Sequence, residues 1–216
     1  MKSFNEDENR ILDRVIESRR TVRKFKTESP PKEMVERILQ AGLLAPYAQI
    51  SISREDFRRF VVIPRGSEIT SRAAQLMKRR AAAVLEELEK QAKQASSDKN
   101  RGERYLSVLR MAKDQGPPNL GKAPYYIVVA EQRGSPDLAQ HSLAHCLENM
   151  WLKATGLELA FQLLSLTERM AEDREFCELI GIPFGEFALD GCLVGYADAS
   201  PTPPKRPSLG AVTTWL

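Results

Sequence analysis

The sequence is short of the residues that usually build catalytic and metal centres. Histidine occurs only at His141 and His145, and cysteine only at Cys146, Cys177 and Cys192. An odd cysteine count without C-x-x-C spacing argues against a disulfide framework and against a zinc site, leaving buried thiols in a reducing compartment as the expectation. No apolar run approaches the roughly 20 residues needed to span a bilayer. The opening MKSFNEDENR has no apolar signal core, so no membrane association and a cytoplasmic location are expected. G-x-G-x-x-G, Walker A, G-x-S-x-G and H-E-x-x-H are all missing. The two histidines stand one helical turn apart, a spacing that can bind a metal. No carboxylate accompanies them at matching spacing, so surface or interface positions on a helix are the better reading, and no metal is expected.

An excess of one charge is also lacking. The 32 basic and 29 acidic residues are mixed along the chain for a net +3. A dedicated nucleic-acid binder concentrates its basic residues on one face, so no nucleic-acid partner is expected. A small phosphate-bearing ligand remains compatible. The 216 residues suffice for one domain with a real core and would be cramped as two.

Apolar periodicity predicts a first helix over residues 8–19, with Ile11, Leu12, Val15 and Ile16 on one face. Ser29-Pro30-Pro31 reads as the start of a second helix, which Ala45-Pro46 stops. Residues 60–63 form a short apolar strand. Residues 68–94 read as a long charged helix with Ala73, Met77, Val84 and Leu88 on its buried stripe, and residues 105–113 as another. YYIVVA at 125–130 is a β-branched run suited to a central strand covered on both faces. Residues 138–164 read as one long apolar helix interrupted at Gly156, and LDGCLVGY at 189–196 as a last core strand. The proline-rich tail, SPTPPKRPSLGAVTTW, is neither central strand nor ordinary helix. Helices mixed irregularly with at least three strands make an α+β sheet covered by helices.

Two basic clusters stand out, R-R-T-V-R-K at 19–24 and Lys205-Arg206 in the tail, about 180 residues apart. The first sets guanidinium groups and a hydroxyl close together, the groups that hold a phosphate through charged hydrogen bonds. Alternate positions in an extended segment also aim two of its arginines the same way.

R-R-T-V-R-K-F after a short helix resembles the opening motif of the nitroreductase family, R-R-S-x-R-x-F. Further pieces resemble the family in order: P-P-K-E-M-V-E-R-I-L-Q-A-G-L-L-A-P, R-R-F-V-V-I, K-A-P-Y-Y-I-V-V, E-N-M-W-L-K-A-T-G-L-E and G-I-P-F-G-E…L-V-G-Y…P-P-K-R-P. The resemblance spans nearly the whole chain except residues 68–115. It implies a single α+β domain over 1–216, with a central mixed, mostly antiparallel sheet and a helical insertion or lid at about 68–115. It also implies a homodimer with FMN at the subunit interface and NAD(P)H as co-substrate. Carried over by residue, Arg19 and Thr21 would meet the FMN phosphate, with Arg20 beside them or on the ribityl chain. Arg23 would reach the N1–C2=O edge of the ring, and Lys205 and Arg206 would close on the phosphate. No side chain is expected to act as a nucleophile or base, since the flavin carries the chemistry.

Two departures bear on the pocket. The family's A-P-S-x-x-N-x-Q-P-W reads A-P-Y-A-Q-I-S-I-S-R here, leaving Gln49 as the nearest candidate for the missing asparagine. Where the family carries glycine beside N5, this chain has Phe161-Gln162-Leu163-Leu164, so backbone groups of Leu163 and Leu164 are the candidates there. The expected activity is electron transfer from NAD(P)H through FMN to a nitro compound, quinone or similar small acceptor. The alternatives are another flavin task, such as reductive dehalogenation or flavin breakdown, and a non-catalytic flavin- or ligand-binding protein. Dimerisation is expected through residues 142–164, which read as too apolar to stand exposed.

Overall fold

The computed structural model describes residues 3–48, 57–94, 102–199 and 201–216. Four strands, β1 (Arg58–Pro64), β2 (Tyr125–Gln132), β3 (Ala160–Leu163) and β4 (Phe187–Gly195), pair in the order β1-β2-β4-β3, each neighbour antiparallel. The parallel component of the sheet is one bridge at its edge, between Thr21 and Phe161. The helices are α1 (Glu6–Ser18), α2 (Lys32–Leu43), α3 (Glu68–Gln94), α4 (Glu103–Gln115), α5 (Ala139–Gly156), α6 (Leu166–Arg169) and α7 (Arg174–Leu179).

The YYIVVA strand is central and covered on both faces, as its composition predicts. Tyr126, Val128 and Ala130 join a core with Leu76 and Met77 of α3 and Phe176 of α7. Ile127 and Val129 face the opposite way, into a core with Ile38 of α2 and Leu143 and Met150 of α5. This alternation is the pleat itself, which sends successive side chains to opposite faces. The stripe on α3 also holds, with Ala73, Met77 and Val84 buried and Leu88 half-buried. Leu109 and Ala112 attach α4 to Ala81, Val84 and Leu85 of α3 in a small satellite core. All three cysteines are free and buried, and burial pushes the Cys146 thiol up to about 12.

Glycine lets α2 and α5 press together. A Cβ on Gly42 would lie 2.7 Å from Met150 Cγ and 2.9 Å from Cys146 Sγ. Beyond this contact a fully buried ion pair fixes the end of α2. Arg58 Nε donates to Glu131 Oε2 at 2.7 Å, while its Nη1 donates to the Gly42 and Ala45 carbonyls at 2.8 and 2.9 Å. One guanidinium thus caps the helix end and ties the following turn to the sheet. Tyr47 donates to the Gln132 carbonyl at 3.3 Å, and the Ala48 N–H donates to Ser142 Oγ at 2.9 Å. Gln49, next along, lies outside the described residues.

Three readings change. The first helix begins earlier, because Asn5 and Glu8 form a reciprocal capping box at 2.8 and 2.9 Å. Residues 138–164 are not one helix: α5 ends at Gly156, Glu158 turns the chain with φ of 59°, and Ala160–Leu163 become an edge strand. The reason for expecting a dimer also changes. Leu143, Leu147, Met150, Trp151 and Leu159 are buried within the single chain, against its own sheet. Uncovered apolar surface lies on α1, which buries no residue and leaves Ile11, Leu12 and Ile16 at least half exposed, and on the tail at Leu209, Val212 and Trp215. Leu43 and Leu44 at the end of α2 are also exposed, and Leu44 lines a groove of about 480 Å³ with Ile11, Leu12, Leu152 and Leu157.

Candidate active site

The site is organised by the edge of β3. Leu164 donates to the Gly191 carbonyl at 2.8 Å, so the alternation of an antiparallel ladder turns the backbone of Phe161 and Leu163 the other way. The chain just after α1 takes up part of that open edge, with the Val22 N–H donating to the Phe161 carbonyl at 3.1 Å. Leu163, 40% exposed, stands beyond it with unspent backbone groups. Leu164 has none to spare in the same sense, since its carbonyl also accepts from Thr167 N at 2.9 Å.

Docking the extended segment along this edge gathers its polar side chains. Arg19, Arg20, Thr21 and Arg23 line one cleft of about 250 Å³, with Arg206, Thr202, Pro201 and Pro204 of the tail on its other side. Four arginines line this small space, and among the described residues that line it none is a carboxylate, although Glu148 stands beside Arg19. Lys205, exposed, is not among the lining residues. Two of the arginines have additional duties. Arg19 lies 4.3 Å over the Trp151 ring and 3.2 Å from Glu148. Arg20 donates to the Glu17 and Arg19 carbonyls, completing the end of α1, while Trp151 Nε1 donates to the Arg20 carbonyl at 3.1 Å. Trp151 stacks in turn on Phe161, at 5.2 Å and 19°. The cleft therefore rests on an aromatic base that reaches the core.

Arg23 belongs to two walls. It also borders a cavity of about 270 Å³ between residues 162–166 and α4, where Tyr105, Val108 and Met111 present apolar side chains 40–44% exposed. Apart from Arg23, no residue lining this cavity carries a charge. A titratable group outside the lining residues is connected to Leu164 through β4. Asp190 Oδ1 accepts the Gly191 N–H at 2.7 Å, and the Gly191 carbonyl holds Leu164. Burial is the chief reason that the Asp190 carboxyl rises to about 7, opposed by the Gly191 N–H and assisted by Glu168. Glycine is required at 191, because a Cβ there would meet Thr167 Oγ1 at 2.7 Å and Tyr126 Cε2 at 3.0 Å.

Of the residues singled out in the sequence, Arg19, Arg20, Thr21, Arg23 and Arg206 are brought together, and Leu163 and Leu164 border the adjoining cavity. His141 and His145 lie on the exposed side of α5. Sequence reasoning missed Trp151 and Glu148 as supports of Arg19, and Asp190 on β4. It also missed Gln162 with its partner Asn119. The stacking of an arginine on a tryptophan 132 positions away leaves no local signal.

Comparison with known proteins bears on this arrangement. No curated protein sequence matches the chain. Among solved structures, a nitroreductase with bound FMN from Bacteroides fragilis NCTC 9343 is 19% identical over 99% of this chain and 100% of that one, with a TM-score of 0.69. An FMN-bound nitroreductase from Desulfitobacterium hafniense DCB-2 is 24% identical over 99% and 100%, with a TM-score of 0.66. Iodotyrosine deiodinase bound to FMN and 3-iodo-L-tyrosine is 21% identical over 94% and 100%, also with a TM-score of 0.66. These likenesses establish the fold. The model of the family described as the nitroreductase family matches residues 16–196, a span that takes in the arginine segment, all four strands and Asp190, and the chain belongs to that family.

Proposed function

We propose that the chain is an FMN-dependent oxidoreductase that draws electrons from NAD(P)H and delivers them to a flat, apolar acceptor such as a nitroaromatic compound or a quinone. The carrying observation is the cleft in which Arg19, Arg20, Arg23 and Arg206 converge without a carboxylate in its walls. Glu148 offsets the charge of Arg19, and a phosphate answers the remaining like charges, which otherwise repel one another, together with the fork geometry of arginine. FMN therefore fits the residues present. Arg19, Thr21 and Arg206 would hold its phosphate, with Arg20 beside them and Lys205 adding charge from the same tail. Gln49 and the backbone of Leu163 and Leu164 are the proposed ring contacts, Leu163 having the freer groups.

When bound, FMN supplies the hydride and electron transfer that no side chain here provides. The protein's part is to bind, orient and exclude water. Arg23 places fixed positive charge between cleft and cavity, where negative charge developing on reduction is stabilised without reorganisation. In the proposed domain organisation, residues 68–115 form an insertion within a single domain, and α4 acts as its lid. Tyr105, Val108 and Met111 would keep water from the reacting face and leave room for an apolar ring. The lack of charge in that wall, Arg23 apart, favours such an acceptor over a zwitterionic amino acid.

Homodimerisation belongs to the same reading. A second copy is the natural cover for Ile11, Leu12 and Ile16 of α1 with Leu43 and Leu44. Light scattering at micromolar concentration is expected to give twice the 24.3 kDa chain mass, and the 24.3 kDa particle for Leu12→Glu combined with Ile16→Glu.

The deciding experiment for the activity is anaerobic. The purified protein, reconstituted with FMN, should retain flavin absorbance through gel filtration and bleach on addition of NADPH or NADH. Colour should return with menadione or nitrobenzene. Flavin that binds but never bleaches would favour a non-catalytic binding protein, and a colourless protein would defeat the proposal.

A further inference from the structure

Gln162 stands where an apolar side chain would be ordinary. It is 5% exposed in β3, between Phe161, which stacks on Trp151, and the half-exposed Leu163. Burying an amide without hydrogen bonds costs free energy that a leucine would not. One end of this amide is satisfied: Oε1 accepts from Asn119 Nδ2 at 2.8 Å. Asn119 follows α4 in a tight turn with φ of 68°, a left-handed conformation that asparagine adopts more readily than most residues. Its carbonyl accepts from Lys122 N and Ala123 N at 2.9 and 3.0 Å, which secures the turn. The other end of the amide, Nε2, finds no protein acceptor among the described residues and is not sealed from solvent. Gln162 lines the cavity shared with Arg23 and α4. Since Asn119 holds the oxygen, the nitrogen is the end left for whatever enters.

We propose that Gln162 is a ligand-binding residue whose Nε2 donates a hydrogen bond to a carbonyl-type oxygen on the flat, conjugated molecule seated between β3 and α4, with Asn119 as its positioning residue. The inference rests on the proposed function. Such an oxygen is offered both by the ring of the flavin and by a quinone or nitro acceptor. The shared chemistry is a planar acceptor oxygen beside an apolar ring, which suits one amide donor in an otherwise apolar wall. It also gives α4 a second role, since the turn that ends it sets the orientation of a binding group on the sheet.

The test separates the two sources. Apoprotein is titrated with lumiflavin, which has the ring without the phosphate and so reports nothing of the arginine cleft. FMN-loaded protein is titrated with menadione, followed by the perturbation of flavin absorbance without turnover. Gln162→Leu is expected to weaken one of these two affinities by roughly threefold to tenfold, the range of a single hydrogen bond. Gln162→Glu, which puts acceptors where the donor was, should weaken the same one at least as much, and Asn119→Ala less. Loss with lumiflavin assigns the oxygen to the flavin ring, and loss with menadione assigns it to the acceptor. The control is 2-methylnaphthalene, which has the shape of menadione without its oxygens and should bind Gln162→Leu and wild type alike. Equal affinities for both probes in wild type, Gln162→Leu and Gln162→Glu would overturn the proposal. So would an equal loss for 2-methylnaphthalene, which would make the amide a space-filler. A wild-type chain that takes up FMN while these variants bind unchanged defeats this inference alone, whereas a chain that takes up no FMN defeats the proposed function and this inference with it.

Discussion

The cationic cleft and the apolar cavity meet at one residue and are built in opposite ways. The cleft draws its groups from an extended segment and from the tail, so its chemistry is concentrated in arginines and its support is a stacked tryptophan. The cavity is walled by a strand end and a helix that packs on another helix, and its chemistry is nearly empty of charge. In the proposed function the charge set and the apolar wall would divide two tasks, anchoring one end of a ligand and admitting another molecule beside it. Arg23 is where the tasks meet.

That contrast predicts a graded series of effects. Arg19→Ala or Arg206→Ala should weaken FMN binding by about 1.5–3 kcal/mol each, as for charged hydrogen bonds. The double variant should lose less than the sum if both arginines act on one phosphate; equilibrium dialysis measures all three, and strict additivity would separate their targets. Arg23→Ala should retain more flavin than Arg19→Ala yet show a lower reduction potential and slower reduction by NAD(P)H, with Arg23→Lys recovering part of both. Redox titration and stopped-flow absorbance read these, and unchanged values would remove Arg23 from the ring.

The β4 segment that holds Leu164 should respond to pH. Asp190 titrates near 7 in the fold and near 3.9 when unfolded, so between these values the folded chain holds a proton the unfolded chain has lost. Stability should therefore fall as pH rises from about 4 to 7, by at most about 1.4 kcal/mol per unit from this group. Asp190→Asn keeps an oxygen for the Gly191 N–H and should flatten that slope, a difference visible in thermal unfolding at pH 5 and pH 8. The smallest effect is expected in the wall. Met111→Ala should raise KM for menadione roughly fivefold, the worth of about 1 kcal/mol of apolar contact, while leaving FMN affinity unchanged. An effect on FMN instead would place the flavin ring against α4.

How much of this was legible depends on where the cause of each feature lies. YYIVVA declares a central strand because a β-branched run needs cover on both faces, and β2 has it. R-R-T-V-R carries side chains that suit an anion, and the fold brings four of them to one cleft with Arg206. The four residues of β3 were read as helix because Ala-Phe-Gln-Leu has no pattern long enough to distinguish the two. The turn at Glu158, the pairing with β4 across 29 to 35 positions and the docking of Val22 make it a strand. The roles of Gln162 and Asn119 were hidden for the same reason, since both depend on contacts across 43 positions. The apolar faces of α1 and α5 looked alike in the sequence. The α5 face packs on the chain's own sheet, whereas the α1 face meets α5 with Val15 half-buried and leaves Ile11, Leu12 and Ile16 exposed, and periodicity alone does not tell these apart.

The tail carries a consequence for assembly. Residues 202–212 are exposed throughout, yet the segment delivers Arg206 to the cleft. A strap with so little buried surface has little holding it except what it grips, and its ordering entropy is charged against the affinity of that grip. On the proposed function, binding would then resemble the closing of a buckle, with the anion seated before the strap. Trypsin offers a clock for this sequence. Cleavage after Lys205, the Arg206–Pro207 bond being resistant to trypsin, should be fast in the bare protein and slow once FMN is bound, at concentrations that track its dissociation constant.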